Sequence, residues 1–126
     1  MINNFEEYTH DLTEQEINIA NLVKTGLQFR VGKNTAITNK EICKALLTKY
    51  NIKISDSRMR AIIHYIRIFL LPDIIATSKG YYRTSDVLEL QSYADSLTER
   101  IGAIQTILNQ IKHQIYINQK QTNENI

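Results

Sequence analysis

Few residues in this sequence are placed to do covalent chemistry. His10, His64 and His113 lie far apart, and none has a neighbouring nucleophile or ligand pattern. Cys43 is the only cysteine, and it sits among Ile42, Leu46 and Leu47 as a small apolar residue would. Neither of the glycine-rich phosphate loops, GxxxxGK(S/T) or GxGxxG, occurs. No catalytic residue, metal site, cofactor or small-molecule substrate is therefore expected. What the residues can do is hold anions. Residues 24–83 carry twelve Lys and Arg against Glu41, Asp56 and Asp73, a net charge of +9. Residues 1–23 carry −5, and residues 84–126 carry −2. Cations clustered in this way raise the local attraction for phosphate.

The most suggestive cations fall in one helical stretch, residues 55–70. At about 100° per residue, with its apolar stripe turned inward, Ser57, Ala61, His64 and Ile68 point most directly outward. Arg60 and Arg67 flank them on one side, and Arg58 and Tyr65 on the other. Small and hydrogen-bonding side chains between arginines suit a DNA major groove, where Arg meets guanine O6 and N7 or a phosphate. Ile68 fits that surface poorly and suits a protein contact better. Lys79 at a hairpin tip and Arg83 on its return strand are candidates for phosphate or the minor groove. Lys40 and Lys44, one helical turn apart, extend the basic surface, with Arg30, Lys33 and Lys49 nearby.

These side chains need elements to position them. Thr13 and Glu16 form a capping box, with Leu12 and Ile17 as a hydrophobic staple, and open a first helix. Its stripe is Ile17, Ala20, Val23 and Leu27, with Gly26 as a stop signal. A loop with Gly32 leads to a short extended piece near Ala36 and Ile37. A second capping box, Thr38 and Glu41, opens a helix with Ile42, Cys43, Leu46, Leu47 and Tyr50 on its apolar face. Ser55 caps a third helix whose core stripe is Met59, Ile62, Ile63, Ile66 and Leu70. Pro72 ends it near Leu71. Two β-prone runs, Ile74–Thr77 and Tyr81–Thr84, flank Lys79-Gly80 as a tight hairpin in which Gly80 supplies positive φ. Tyr81 and Tyr82 must point to opposite faces, one of them into the core.

Residues 85–117 carry the most regular pattern. Val87, Leu90, Ala94, Leu97, Ile101, Ile104, Leu108, Ile111 and Ile115 recur at alternating spacings of three and four, a heptad seam. From residue 85 to 115 such a helix spans about 46 Å at 1.5 Å per residue, longer than one small domain can cover. A second copy, most simply in a homodimer, is the expected partner. Too few opposed charges stand beside the seam to set helix orientation. The fold class is thus mainly α with a small β-hairpin (α+β), and four regions are expected. These are a flexible arm at 1–12, a domain at 13–84, an oligomerisation helix at 85–117 and a disordered tail at 118–126. With 126 residues, 43% hydrophobic and 22% charged, the chain has an ordinary globular composition. No apolar run approaches the roughly 18 residues of a spanning helix. Glu6 and Glu7 stand where a secretory signal has basic residues. A cytoplasmic, membrane-free protein is expected.

Helix, extended piece, helix, turn, helix, hairpin over residues 13–84 resembles a winged helix-turn-helix domain. The hairpin IIATSKGYYRT directly after the third helix is the most specific part. With the long helix after SKGYY, the chain resembles small helix-turn-helix proteins of phages and other mobile elements. The resemblance implies double-stranded DNA binding as a homo-oligomer by a transcriptional regulator or replication-origin binder, in a bacterial or phage-infected host cell. Some winged helices dock proteins instead, so an interaction adaptor assembled by its coiled coil is the competing expectation.

Overall fold

The computed structural model describes residues 11–124. Among them the chain forms α1 (Glu14–Leu27), a 3₁₀ turn (Lys33–Thr35), α2 (Asn39–Tyr50), α3 (Asp56–Phe69), β1 (Ile74–Thr77), β2 (Gly80–Arg83) and α4 (Val87–Glu124). It divides into two compact units at the Asp86–Val87 bond. The architecture is mainly helical with one antiparallel hairpin, followed by a long C-terminal helix. It is compatible with a winged helix-turn-helix.

Local sequence starts the three short helices where expected. The Thr13 hydroxyl accepts from the Glu16 amide at 3.1 Å, and the Glu16 carboxylate accepts from the Thr13 amide at 3.0 Å. Thr38 and Glu41 repeat that exchange. Ser55 accepts from the Arg58 amide at 3.1 Å. Each side chain satisfies an amide that a helix start leaves without an intrahelical partner. At the other end of α2, Asn51 takes a left-handed conformation (φ 54°) that its short polar side chain tolerates.

The core sits between α1, α2 and α3. Met59, Ile62, Ile63 and Ile66 of α3 are fully buried, as their spacing predicts. Two stripes differ from expectation. In α1, Ile19 rather than Ile17 joins Ala20, Val23 and Leu27 in the core, and the helix continues past Gly26 to Leu27. In α2, Ile42 and Leu46 are buried while Leu47 and Tyr50 are exposed. An apolar residue at the edge of a stripe stays wet when the neighbouring helix does not reach that edge.

The hairpin pairs Ile74 with Arg83 and Thr77 with Gly80, which places Ser78 and Lys79 at its turn. The extended piece before α2 adds to it: the Ile37 amide donates to Tyr81 O at 3.0 Å, and the Tyr81 amide donates to Ile37 O at 2.8 Å. Gly80 (φ 120°) is required twice over, because a Cβ there would overlap the Ile37 carbonyl and approach Thr38 N at 2.7 Å. Tyr82 is the buried member of the tyrosine pair, and Tyr81 packs half-buried against the main core.

The second unit is α4, unbroken through Gly102 and on to Glu124. It continues past residue 117, where a tail was expected, because NQKQTNE holds no Pro or Gly and is rich in good helix formers. Residues 1–10, most of the expected arm, lie outside the described residues, as do 125 and 126.

Candidate nucleic-acid interface

The outward face of α3 is narrower than the wheel suggests, and it is rotated. Ser57 and Ala61, expected at its centre, are buried at 8% and 7% exposure. The wheel assumes one covered side, whereas α3 packs against both α1 and α2, so its buried arc is wider. Arg60, His64 and Ile68 are exposed, each one turn from the next, with Arg67 half-buried alongside and Phe69 exposed at the end of the helix. Tyr65 does not join them; it packs against the core and stacks tilted on Phe69, with ring centres 5.0 Å apart.

Two of the expected DNA-contacting arginines are engaged inside the fold. Arg58 grips Glu16 with two charge-assisted bonds of 2.7 Å, Nε to Oε2 and Nη2 to Oε1. That Arg58 guanidinium holds the Glu16 carboxyl down at about 2, far below the usual carboxylate range. Glu16 thereby closes the cap of α1 and ties α1 to α3. Arg83 likewise pairs with Asp73, Nε to Oδ1 at 2.8 Å and Nη2 to Oδ2 at 3.0 Å, and donates to Gln28 O at 3.2 Å. The Asp73 carboxylate raises the affinity of Arg83 for its proton. A planar fork that spans two carboxylate oxygens is held in place by them, so both arginines brace the fold.

The remaining candidates stay at the surface. Lys40 and Lys44 are exposed one turn apart on α2, and Lys79 is exposed at the hairpin turn. Asn39 fixes α2 against the start of α3, its amide donating to Asp56 O at 3.1 Å. Lys53, in the turn between α2 and α3, is also exposed. It belongs to no periodic segment, so spacing gives no signal for it. Cys43 is half-buried, and burial together with the nearby Asp56 carboxylate pushes its thiol up to about 11. At neutral pH it is a protonated packing residue rather than a nucleophile.

The pairing of Arg58 with Glu16 had no local signal, since 42 residues separate the two. Nor did the side chains that open between α1 and α2, where Phe29 and Tyr50 stand exposed beside Arg30 and Lys49. In α4 the seam residues Ile101, Ile104, Leu108, Ile111 and Ile115 share one face and are all exposed in the single chain. No helix among the described residues is long and apolar enough to cross a membrane. No group of three or more His, Cys, Asp or Glu among them could hold a metal ion. No family model matches the sequence, and no curated protein or solved structure matches it either.

Proposed function

We propose that residues 11–86 are a winged helix-turn-helix unit that binds double-stranded DNA, and that α4 joins copies of the chain into a homo-oligomer. One observation carries the reading. Within the +9 segment, Arg60 and His64 are exposed one turn apart on the outer face of α3. Lys40, Lys44 and Lys79 remain exposed on the flanking elements. In this reading α3 enters the major groove, with Arg60 and His64 towards base edges and Arg67 beside them. Lys40, Lys44 and Lys79 neutralise phosphates, which fixes register without reading sequence. Joining two units through α4 multiplies a modest single-site affinity through effective concentration. Regulation of transcription or origin binding in a phage or mobile element is the setting that the resemblance suggests.

The test is fluorescence anisotropy of the full chain with random-sequence duplex DNA across a salt series. Affinity should fall linearly on a log–log plot, losing about 0.9 of slope for each phosphate contact. Arg60→Ala with Arg67→Ala should weaken binding by about tenfold or more, because each lost contact is worth about 1–3 kcal/mol. Absence of binding at low salt defeats the proposal.

Ile68 and Phe69, 58% and 69% exposed at the end of α3, favour a second reading as a protein-docking adaptor. An adaptor keeps its assembly in the double arginine variant and loses its partner with Ile68→Asp.

A further inference from the structure

Along α4 the charged side chains are sorted by sign. Residues 87–99 hold Glu89, Asp95 and Glu99 and no Lys or Arg, a charge of −3. Residues 100–123 hold Arg100, Lys112 and Lys120 and no Asp or Glu, a charge of +3. Glu124, at the end of the helix, is the next acid. The same helix exposes Ile101, Ile104, Leu108, Ile111 and Ile115 along one face, with Ile107 beside them. Few charges flank that seam directly, so neighbouring pairs leave open which way two such helices run. The sorting over the whole helix does not. A parallel pair sets acid beside acid in one half and cation beside cation in the other. An antiparallel pair sets the −3 stretch of each copy against the +3 stretch of the other, and it opposes the two helix dipoles as well.

Side-chain sizes along the seam point the same way. Parallel two-stranded coils favour a β-branched residue at a and Leu at d, but here Leu108 at a stands between Ile104 and Ile111 at d. Parallel pairing in register would also stack Ala94 on Ala94 and leave a thin layer. Antiparallel pairing brings each a position opposite a d position. With Ile101 opposite Ile104, Leu97 meets Leu108, Ala94 meets Ile111 and Leu90 meets Ile115, so the smallest side chain of the seam faces a large one. Lys112, at an e position, then stands opposite residue 93, between Glu89 and Asp95 of the second copy. In a parallel pair it meets no carboxylate, because none occurs from 100 to 123. We infer that α4 pairs antiparallel with α4 of a second copy in this register, an inference that rests on the homo-oligomer reading above. Val87 of each copy then lies opposite residue 118, and the two copies of Val87 stand about 46 Å apart along the pair at 1.5 Å per residue.

Cys43 is the only cysteine, so Cys43→Ala clears the full chain for single spin labels at Ala103→Cys or Gln119→Cys, both exposed positions of α4. Dipolar electron spin resonance then reads the distance between the two labels of a pair. Antiparallel pairing brings the labels at 103 within about 20 Å of each other, across neighbouring helix axes. It holds those at 119, each opposite residue 86, about 50 Å apart at 1.5 Å per residue. Short distances at both positions mean a parallel pair and overturn the inference while the oligomer stands. No dipolar coupling at either position, with sedimentation at the monomer mass, removes the homo-oligomer reading and the inference with it. A charge exchange tests the cause. Lys112→Glu should weaken assembly about fivefold, and adding Asp95→Lys should recover it, because the two side chains again attract across the pair. Failure to recover overturns the register. None of these readouts uses DNA, so the result is independent of the DNA-binding proposal.

Discussion

Residues 11–86 and α4 are both patterned for burial, yet they dispose of their apolar side chains in opposite ways. In the first unit the stripe of α3 meets α1 and α2, and Met59, Ile62, Ile63 and Ile66 lose their solvent contact. In α4 a more regular stripe, from Ile101 to Ile115, stays between 43% and 67% exposed. Periodicity announces which face wants cover; it does not say whether the cover comes from the same chain. Where stripes from three helices are present in one unit, they satisfy each other. Where one helix carries the stripe over about 57 Å at 1.5 Å per residue, its residues from Ile101 to Ile115 stay exposed in the single chain. The two regions also differ in their polar bonds. The first unit is tied by two forked ion pairs, Arg58 with Glu16 from α3 to α1 and Arg83 with Asp73 at the base of the hairpin. In α4 side-chain bonds run to the next turn, as in Gln91 to Asp95 and Gln105 to Asn109.

The largest effect should come from charging the seam. Ile104→Asp with Leu108→Asp places carboxylates on the apolar face of α4, where a coiled-coil partner would have to bury them. Sedimentation should show the assembly reduced entirely to monomer. Amide hydrogen exchange at the buried α3 positions Met59, Ile62, Ile63 and Ile66 should stay unchanged. A seam variant that loses this protection would erase the contrast between the regions. A wild-type chain that is already monomeric would remove the second copy as the missing cover.

A smaller effect tests the first unit alone. Gly80→Ala drives a Cβ into the carbonyl of Ile37, at the junction of the extended piece with the hairpin. It also forces a side chain onto a backbone at φ 120°. Neither the Ile37 carbonyl nor the Thr38 amide is the free end of a flexible side chain, so relief requires the backbone to move. A loss of about 3 kcal/mol is expected by chemical denaturation, the upper end for a strained backbone position. Assembly through α4 should survive in dilute denaturant.

These regions were not equally legible in the sequence. The caps at Thr13, Thr38 and Ser55 were, because a cap is a local contract between residues three apart. The α3 stripe, the hairpin and Gly80 were legible for the same reason. The bounds of α2 held too, yet the exposure of Leu47 and Tyr50 did not follow from their spacing. Spacing gives the direction of a side chain and not the extent of the neighbour it meets. The candidate interface suffered most. Ser57 and Ala61 were lost to a second packing partner of α3, and Arg58 and Arg83 to carboxylates on other elements. Arg60, His64, Lys40, Lys44 and Lys79 kept their expected exposure. A cation's availability is thus a tertiary property, set by which carboxylates the fold carries to it.

The smallest predicted effect is the one most diagnostic of that point. Glu16 and Arg58 are both largely shielded, with side chains 14% and 15% exposed, and they join α1 to α3. Glu16→Gln keeps an oxygen for the Thr13 amide, so the cap persists, but it leaves the Arg58 guanidinium without its counter-charge. The expected cost at neutral pH is about 2 kcal/mol, below the usual loss for a fully buried pair because both groups touch solvent. The sign with pH follows from Glu16 itself. Its carboxyl is held at about 2 in the fold against an ordinary value of 4.5. The stabilisation is therefore complete above about 4.5 and is lost as pH falls towards 2. Urea titrations of the wild type and Glu16→Gln should differ by the full amount at pH 6, and the gap should close progressively below pH 4.5. The helical signal of α4, whose turn-to-turn bonds rest mostly on amides, should change little over the same range. A gap that persists at pH 2 would mean that the variant disturbs packing instead of charge, and the forked pair would lose its standing as the tie between α1 and α3.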